Sequence, residues 1–197
     1  MRMLILLVWL MVPVLAGAYH LGPGQEQMVL EDAAAAIADA REHVDQEKWA
    51  AAIQSYDTAL NLLPGDKVHQ QRRLRLERAK AKMLVKRLPE AHQELIGLVD
   101  EVRADGQADQ KIVAESQAAL ANARYYITWL MRLEGAPQDR WEPEIEASRQ
   151  TFRLLAEEAV ELGDTAAADR YRKDLESSIR LARMDLGDLQ GLPLPTQ

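Results

Sequence analysis

Apolar residues recur along this chain at spacings of three and four, the period of an α-helix with one buried face. Val29, Ala33, Ile37, Ala40 and Val44 predict a helix over about 28–46. Trp49, Ala52, Ile53, Tyr56, Ala59, Leu60 and Leu63 predict a second over about 48–63, closed by Pro64, Gly65 and Asp66. A third runs over about 68–87, and Pro89 opens a fourth that carries Ala91, Leu95, Leu98 and Val102. Asp105 and Gly106 end it. Ile112, Leu120, Ala123, Ile127 and Leu130 share a face of a long fifth helix, about 109–134, which Gly135 and Pro137 break. Ile145, Phe152, Leu155, Ala156 and Ala159 mark a sixth over about 142–162. Ala168, Tyr171, Leu175, Ile179, Ala182 and Leu186 mark a seventh over about 165–187. No Val, Ile, Thr or Tyr run alternates with period two, so strands are not expected. The connections are short, which favours antiparallel neighbours.

The first residues obey a different rule. Met3 to Ala18 carry no charge, Arg2 precedes them, and Ala16, Gly17 and Ala18 have the small-x-small form of a signal-peptidase site. The apolar run from Met3 to Leu21 is also close to the shortest length that spans a bilayer. Residues 1–21 are therefore read as a signal peptide cleaved after Ala18 or as a retained membrane anchor, with 22–27 a linker. Either reading puts residues 28–190 on the extracytoplasmic side, membrane-anchored or secreted/periplasmic. Pro193 and Pro195 keep the tail, 191–197, from continuing a helix.

Within the helical part, Glu47 to Asp66 resembles the second helix of a tetratricopeptide (TPR) repeat. Ala52 stands at the helix crossing, Tyr56, Ala59 and Pro64 follow at the family's intervals, Trp49 precedes, and Ala40 supplies the small residue of the preceding helix. A weaker copy lies around Ala79 and Ala91, and another around Phe152, Ala156 and Ala168, both lacking the aromatic and the closing proline. The crossing alanines are not spaced by multiples of the family's period of about 34 residues. The resemblance implies an all-α solenoid of antiparallel helix hairpins, a non-catalytic scaffold that binds another protein or peptide. Periodicity alone is equally met by a plain helical bundle serving as a structural spacer in a membrane-associated complex.

Composition narrows the chemistry. No cysteine is present, which removes disulfides, thiol catalysis and Cys zinc sites. The net charge of −7 disfavours nucleic acid, whose phosphates need a basic surface. No nucleotide-binding glycine loop, nucleophile elbow or paired-histidine zinc motif occurs, so neither an enzyme nor a cofactor or metal is expected. His43 with Asp39, and His92 between Glu90 and Glu94, read as solvated helix surface. The basic run in the third helix is flanked by two apolar stripes, Leu76, Ala79 and Met83 on one side and Leu74, Ala81, Leu84 and Leu88 on the other. That is the pattern of a helix held between neighbours. If its exposed basic residues line a concave face, as first helices of such repeats do, then Arg72, Arg75, Lys82 and Lys86 are the candidate partner contacts. Trp129, Trp141, Tyr125 and Tyr126 read as packing residues.

Overall fold

A computed structural model describes Met11 and residues 23–190. The segment read as a targeting sequence (with its Ala16 and Ala18 cleavage motif) and the tail 191–197 lie outside the described residues, Met11 excepted. Among the described residues there are eight helices and no strand. They are α1 (Pro23–Asp45), α2 (Trp49–Leu62), α3 (Val68–Met83), α4 (Leu88–Ala104), α5 (Gln110–Leu133), α6 (Gln138–Glu161), α7 (Thr165–Arg183) and α8 (Leu186–Gln190). None of the described helices is long and apolar enough to cross a membrane.

From α1 to α7 each helix packs on the next in chain order, and α8 packs back on α5. The order is antiparallel, as the cross-links between helices show: the start of α3 meets the end of α4 through Arg72 and Asp105, and the end of α3 meets the start of α4 through Lys82 and Glu94. Three of the hairpins close by one device. After α1, α5 and α6, the residues Glu47, Gly135 and Gly163 adopt left-handed backbone angles, with φ of 55°, 72° and 74°. The next amide then reaches back to the carbonyl five residues earlier: Lys48 to His43, Ala136 to Met131 and Asp164 to Ala159, at 2.8, 2.8 and 2.9 Å. This is the Schellman closure, which satisfies carbonyls the helix end would leave bare. Glycine takes the angle freely at two of the sites, while Glu47 holds it against the clash of its own Cβ. Asp109 and Asp164 cap α5 and α7 by accepting the Lys111 and Ala167 amides, each at 2.9 Å.

Boundaries differ from the sequence reading at four places. α1 begins at Pro23, inside the stretch read as a linker, because a proline at the first helical position sacrifices no bond and Gln25 to Gln27 are good helix formers. α3 stops at Met83 rather than near 87, since the ring of Pro89 cannot sit four residues beyond a helical carbonyl. α6 starts at Gln138 rather than near 142, which leaves Pro143 inside the helix and Asp139 as an acid in its first turn. The seventh predicted helix breaks at Met184, whose ψ of 148° is extended. Arg132 of α5 donates to the carbonyls of Leu181 and Met184, giving the end of α7 partners that continued helix would have supplied.

The core is a row of small clusters, each shared by adjoining helices. Ala33, Ala36 and Ala40 of α1 meet Ala52, Tyr56 and Ala59 of α2, with Leu74 of α3 joining them. Leu76 and Ala79 of α3 meet Leu95, Leu98 and Val102 of α4 and Ile112, Leu120 and Ala123 of α5. Ala121 of α5 meets Phe152 and Leu155 of α6, and Ala159 of α6 meets Ala168 of α7. Trp129, Ile145, Leu181 and Leu189 close the far end. The crossing alanines Ala52, Ala91 and Ala168 are at most 1% exposed, and Ala40, Ala79 and Ala156 are buried with them. A methyl at these points lets two helices nest where a larger side chain would hold them apart. Trp49 is half-buried and Pro64 is exposed beyond the end of α2.

Candidate functional site

Alternate helices come together on one side of the molecule. α5 touches α3 on one flank and α7 on the other, beyond its own chain neighbours α4 and α6. The three helices form the walls and floor of a groove of about 740 Å³. A volume of that order suits a few side chains of a ligand or peptide. Its floor on α5 is made of small residues, Ala118, Ala119 and Asn122, which leave depth. Met83, Leu84 and Val85 at the end of α3 face it, as do Tyr126, Trp129 and Leu130 of α5 and Tyr171 of α7.

Charges ring this apolar strip. Glu115 accepts from Arg73 and lies 4.0 Å from Lys80, while Glu77 is 3.1 Å from Lys80 and 3.7 Å from Arg73. These four neutralise one another. Lys86 is exposed and forms no ion pair with any described residue. On the opposite wall, the Arg170 guanidinium lies 5.6 Å from the centre of the Tyr171 ring, within cation–π range. Burial pushes the Asp174 carboxyl up from the ordinary aspartate range, and Arg170 only partly offsets that. Burial likewise raises Tyr171.

The four basic residues expected on a partner surface part company here. Arg72 is 6% exposed and Lys82 8%, so neither is available as an exposed contact. Arg72 donates to Glu101 and Asp105 at 2.8 and 2.6 Å, and Lys82 donates to Glu94 at 2.9 Å. Arg75 is half-buried and donates to the second oxygen of Glu101. Arg78 reaches Glu94 on α4 and Asp57 on α2, tying three helices together. Burial pushes Glu101 up, but the hydrogen bonds from Arg72 and Arg75 outweigh it and hold the carboxyl below the usual glutamate range. Asp105 is lowered by the hydrogen bond from Arg72 and then by the Gln107 amide. These cations are desolvated, and removing one partner would leave an uncompensated charge between helices. Of the four, Lys86 alone faces the groove. The groove residues that sequence reasoning missed, Tyr126, Arg170 and Asp174, come from helices distant in sequence. Only the spacing of Arg170 and Asp174, one turn apart on a face with Tyr171, hinted at a shared surface.

His92 is a second correction. It is 7% exposed rather than solvated, and its Nε2 lies 3.5 Å from Glu144 of α6. Arg124 Nε lies 3.4 Å from the same carboxylate oxygen. Burial pushes His92 below the usual imidazole range, Glu144 acts against that, and Arg124 acts with it. Three helices thus meet at one acid and two bases. Among the described residues no group of three or more His, Asp or Glu side chains is placed to hold a metal ion. Trp129 is buried, and Trp141 is half-buried with the Arg132 guanidinium 4.7 Å from its ring centre. Tyr125 and Tyr126 meet edge to face, with ring centres 5.3 Å apart.

No known family model matches the chain, and no curated protein does.

Proposed function

We propose that this chain is a non-catalytic interaction scaffold of tetratricopeptide-like helix hairpins, carried to the extracytoplasmic side by its N-terminal apolar segment. The observation that carries this reading is the groove across α3, α5 and α7, apolar along its floor and polar at its rim. Three further features support it. Buried alanines sit at successive crossings, the core is passed from one helix pair to the next, and alternate helices share a face. A stacked array of this kind presents an extended concave surface to another protein or an extended peptide.

The test is site-specific photocrosslinking in the native host. A photoreactive side chain at Leu130, in the groove, should give a discrete adduct with one protein. The same group at Leu154, exposed on α6 outside the groove, should not. Identical adducts from both positions would remove the groove from the explanation. Intact-mass measurement of the same preparation reads the state of the N-terminus: loss of residues 1–18 marks cleavage, and their retention marks an anchor.

A further inference from the structure

We propose that the groove takes an acidic amphipathic peptide segment, with apolar side chains seated on the α5 floor and carboxylates directed to Lys86 on one wall and Arg170 on the other. The inference rests on the scaffold reading above and names the chemistry of the partner. The whole chain carries a net charge of −7, yet this concavity departs from it. The basic groups of the α3 wall below Lys86 are matched within the chain: Arg73 and Lys80 by Glu77 and Glu115. Lys86 has no such match among the described residues, and Arg170 is engaged by the face of Tyr171. The one further acid of the lining is Asp174, which is half-buried, so the lining sets Lys80, Lys86 and Arg170 against Glu115 and Asp174. Three cations against two acids leave the lining net positive, and its exposed cations, Lys86 and Arg170, stand on opposed walls. Complementary charge steers encounter and rejects like-charged partners. The apolar floor between the walls, with Met83, Ala118, Tyr126 and Leu130, supplies the desolvated contact that a purely electrostatic surface lacks. Nucleic acid would match the two cations but leave that floor uncovered against an acidic protein.

The experiment is a selection from a random twelve-residue peptide library on the full chain, followed by titration of the leading peptide. A consensus of aliphatic or aromatic residues flanked by Asp or Glu is expected. Affinity should fall at least tenfold in the Lys86→Glu/Arg170→Glu chain, and a charge-reversed copy of the peptide should then bind it better than the original. Both side chains are exposed, so the variant should keep its helical circular dichroism. Lys86→Gln/Arg170→Gln provides the same test with a milder change. A basic or uncharged consensus overturns the acidic assignment and leaves the groove reading standing. A consensus indifferent to Asn122→Trp, which fills the floor, or no consensus, overturns both. Self-association that the charge-reversed chain abolishes would make a second copy the occupant and overturn the assignment equally.

Discussion

Replacing Glu94 by glutamine isolates what a shared carboxylate contributes between α3 and α4. Glu94 and Lys82 expose 10% and 11% of their side chains, and Arg78, the other cation on Glu94, exposes 20%. Glutamine keeps the shape and one acceptor, so the change is chiefly loss of charge between two desolvated cations. Removing one partner of a buried pair costs about 3–5 kcal/mol. The retained acceptor and the Asp57 bond to Arg78 soften this to about 2–3 kcal/mol. In a chain of this length that lowers the melting temperature by roughly 5–10 °C. The assay is urea or thermal unfolding followed by circular dichroism, beside Glu157→Gln as a control. The Arg153–Glu157 pair is about two-thirds exposed on both sides, and its loss should stay within about 0.5 kcal/mol. Salt discriminates further, because at 1 M the screening length is about 3 Å and only solvent-exposed charge is masked. If Glu94→Gln lost no more than the control, or lost its effect in 1 M salt, the ladder would be a solvated surface feature.

Four other outcomes follow from the same physics. Glu101 and Asp105 have depressed folded values, so the stability they contribute is present above the unfolded carboxylate range near pH 4 and is lost as pH falls through the folded values; Arg72→Met should flatten that acid limb in pH-resolved unfolding. His92 runs the same way in a higher window: its folded value is lowered, so stability is whole above the unfolded value of about 6.5 and falls as pH drops toward the folded one. His92→Gln should remove that slope, and a slope unchanged between pH 7 and 5 would reject the burial argument. Ala52→Leu should destabilise by about 1–3 kcal/mol through overpacking at the α1–α2 crossing, read by chemical denaturation. Glu47→Gly should raise stability by about 0.5–1 kcal/mol by relieving the left-handed angle, measured the same way.

Much of the helical architecture was legible because its cause is local. The three- and four-residue spacings of α2, α4 and α5 and the breakers Pro64, Gly106 and Gly135 placed most boundaries within a few residues. The two apolar stripes of α3 correctly described a helix held between neighbours: Leu74 joins the α1–α2 cluster, while Leu76 and Ala79 join α4 and α5. What a wheel cannot give is where a long side chain ends. Arg72 and Lys82 lie at the edges of those stripes, and only the position of Glu94, Glu101 and Asp105 across the α3–α4 interface turns them inward. His92 had a readable sign, since it stands three and seven residues before Leu95 and Val99 on one buried stripe; its acidic neighbours Glu90 and Glu94 masked it. Of the groove only Lys86 was picked out, because Lys86, Asn122 and Arg170 meet through stacking of alternate helices rather than through any spacing in the chain.

The row of separate clusters has a mechanical consequence. α1 and α2 join the rest chiefly through the α2–α3 contact, which includes Leu74 and the Asp57–Arg78 bond, with no strand or disulfide among the described residues to carry tension past it. A pull applied at the N-terminal end, such as an attachment to a bilayer would deliver, is borne in series. The first hairpin peels before the second is loaded, so rupture should occur as successive small events, and the groove on α3, α5 and α7 would outlast the loss of its outermost hairpin.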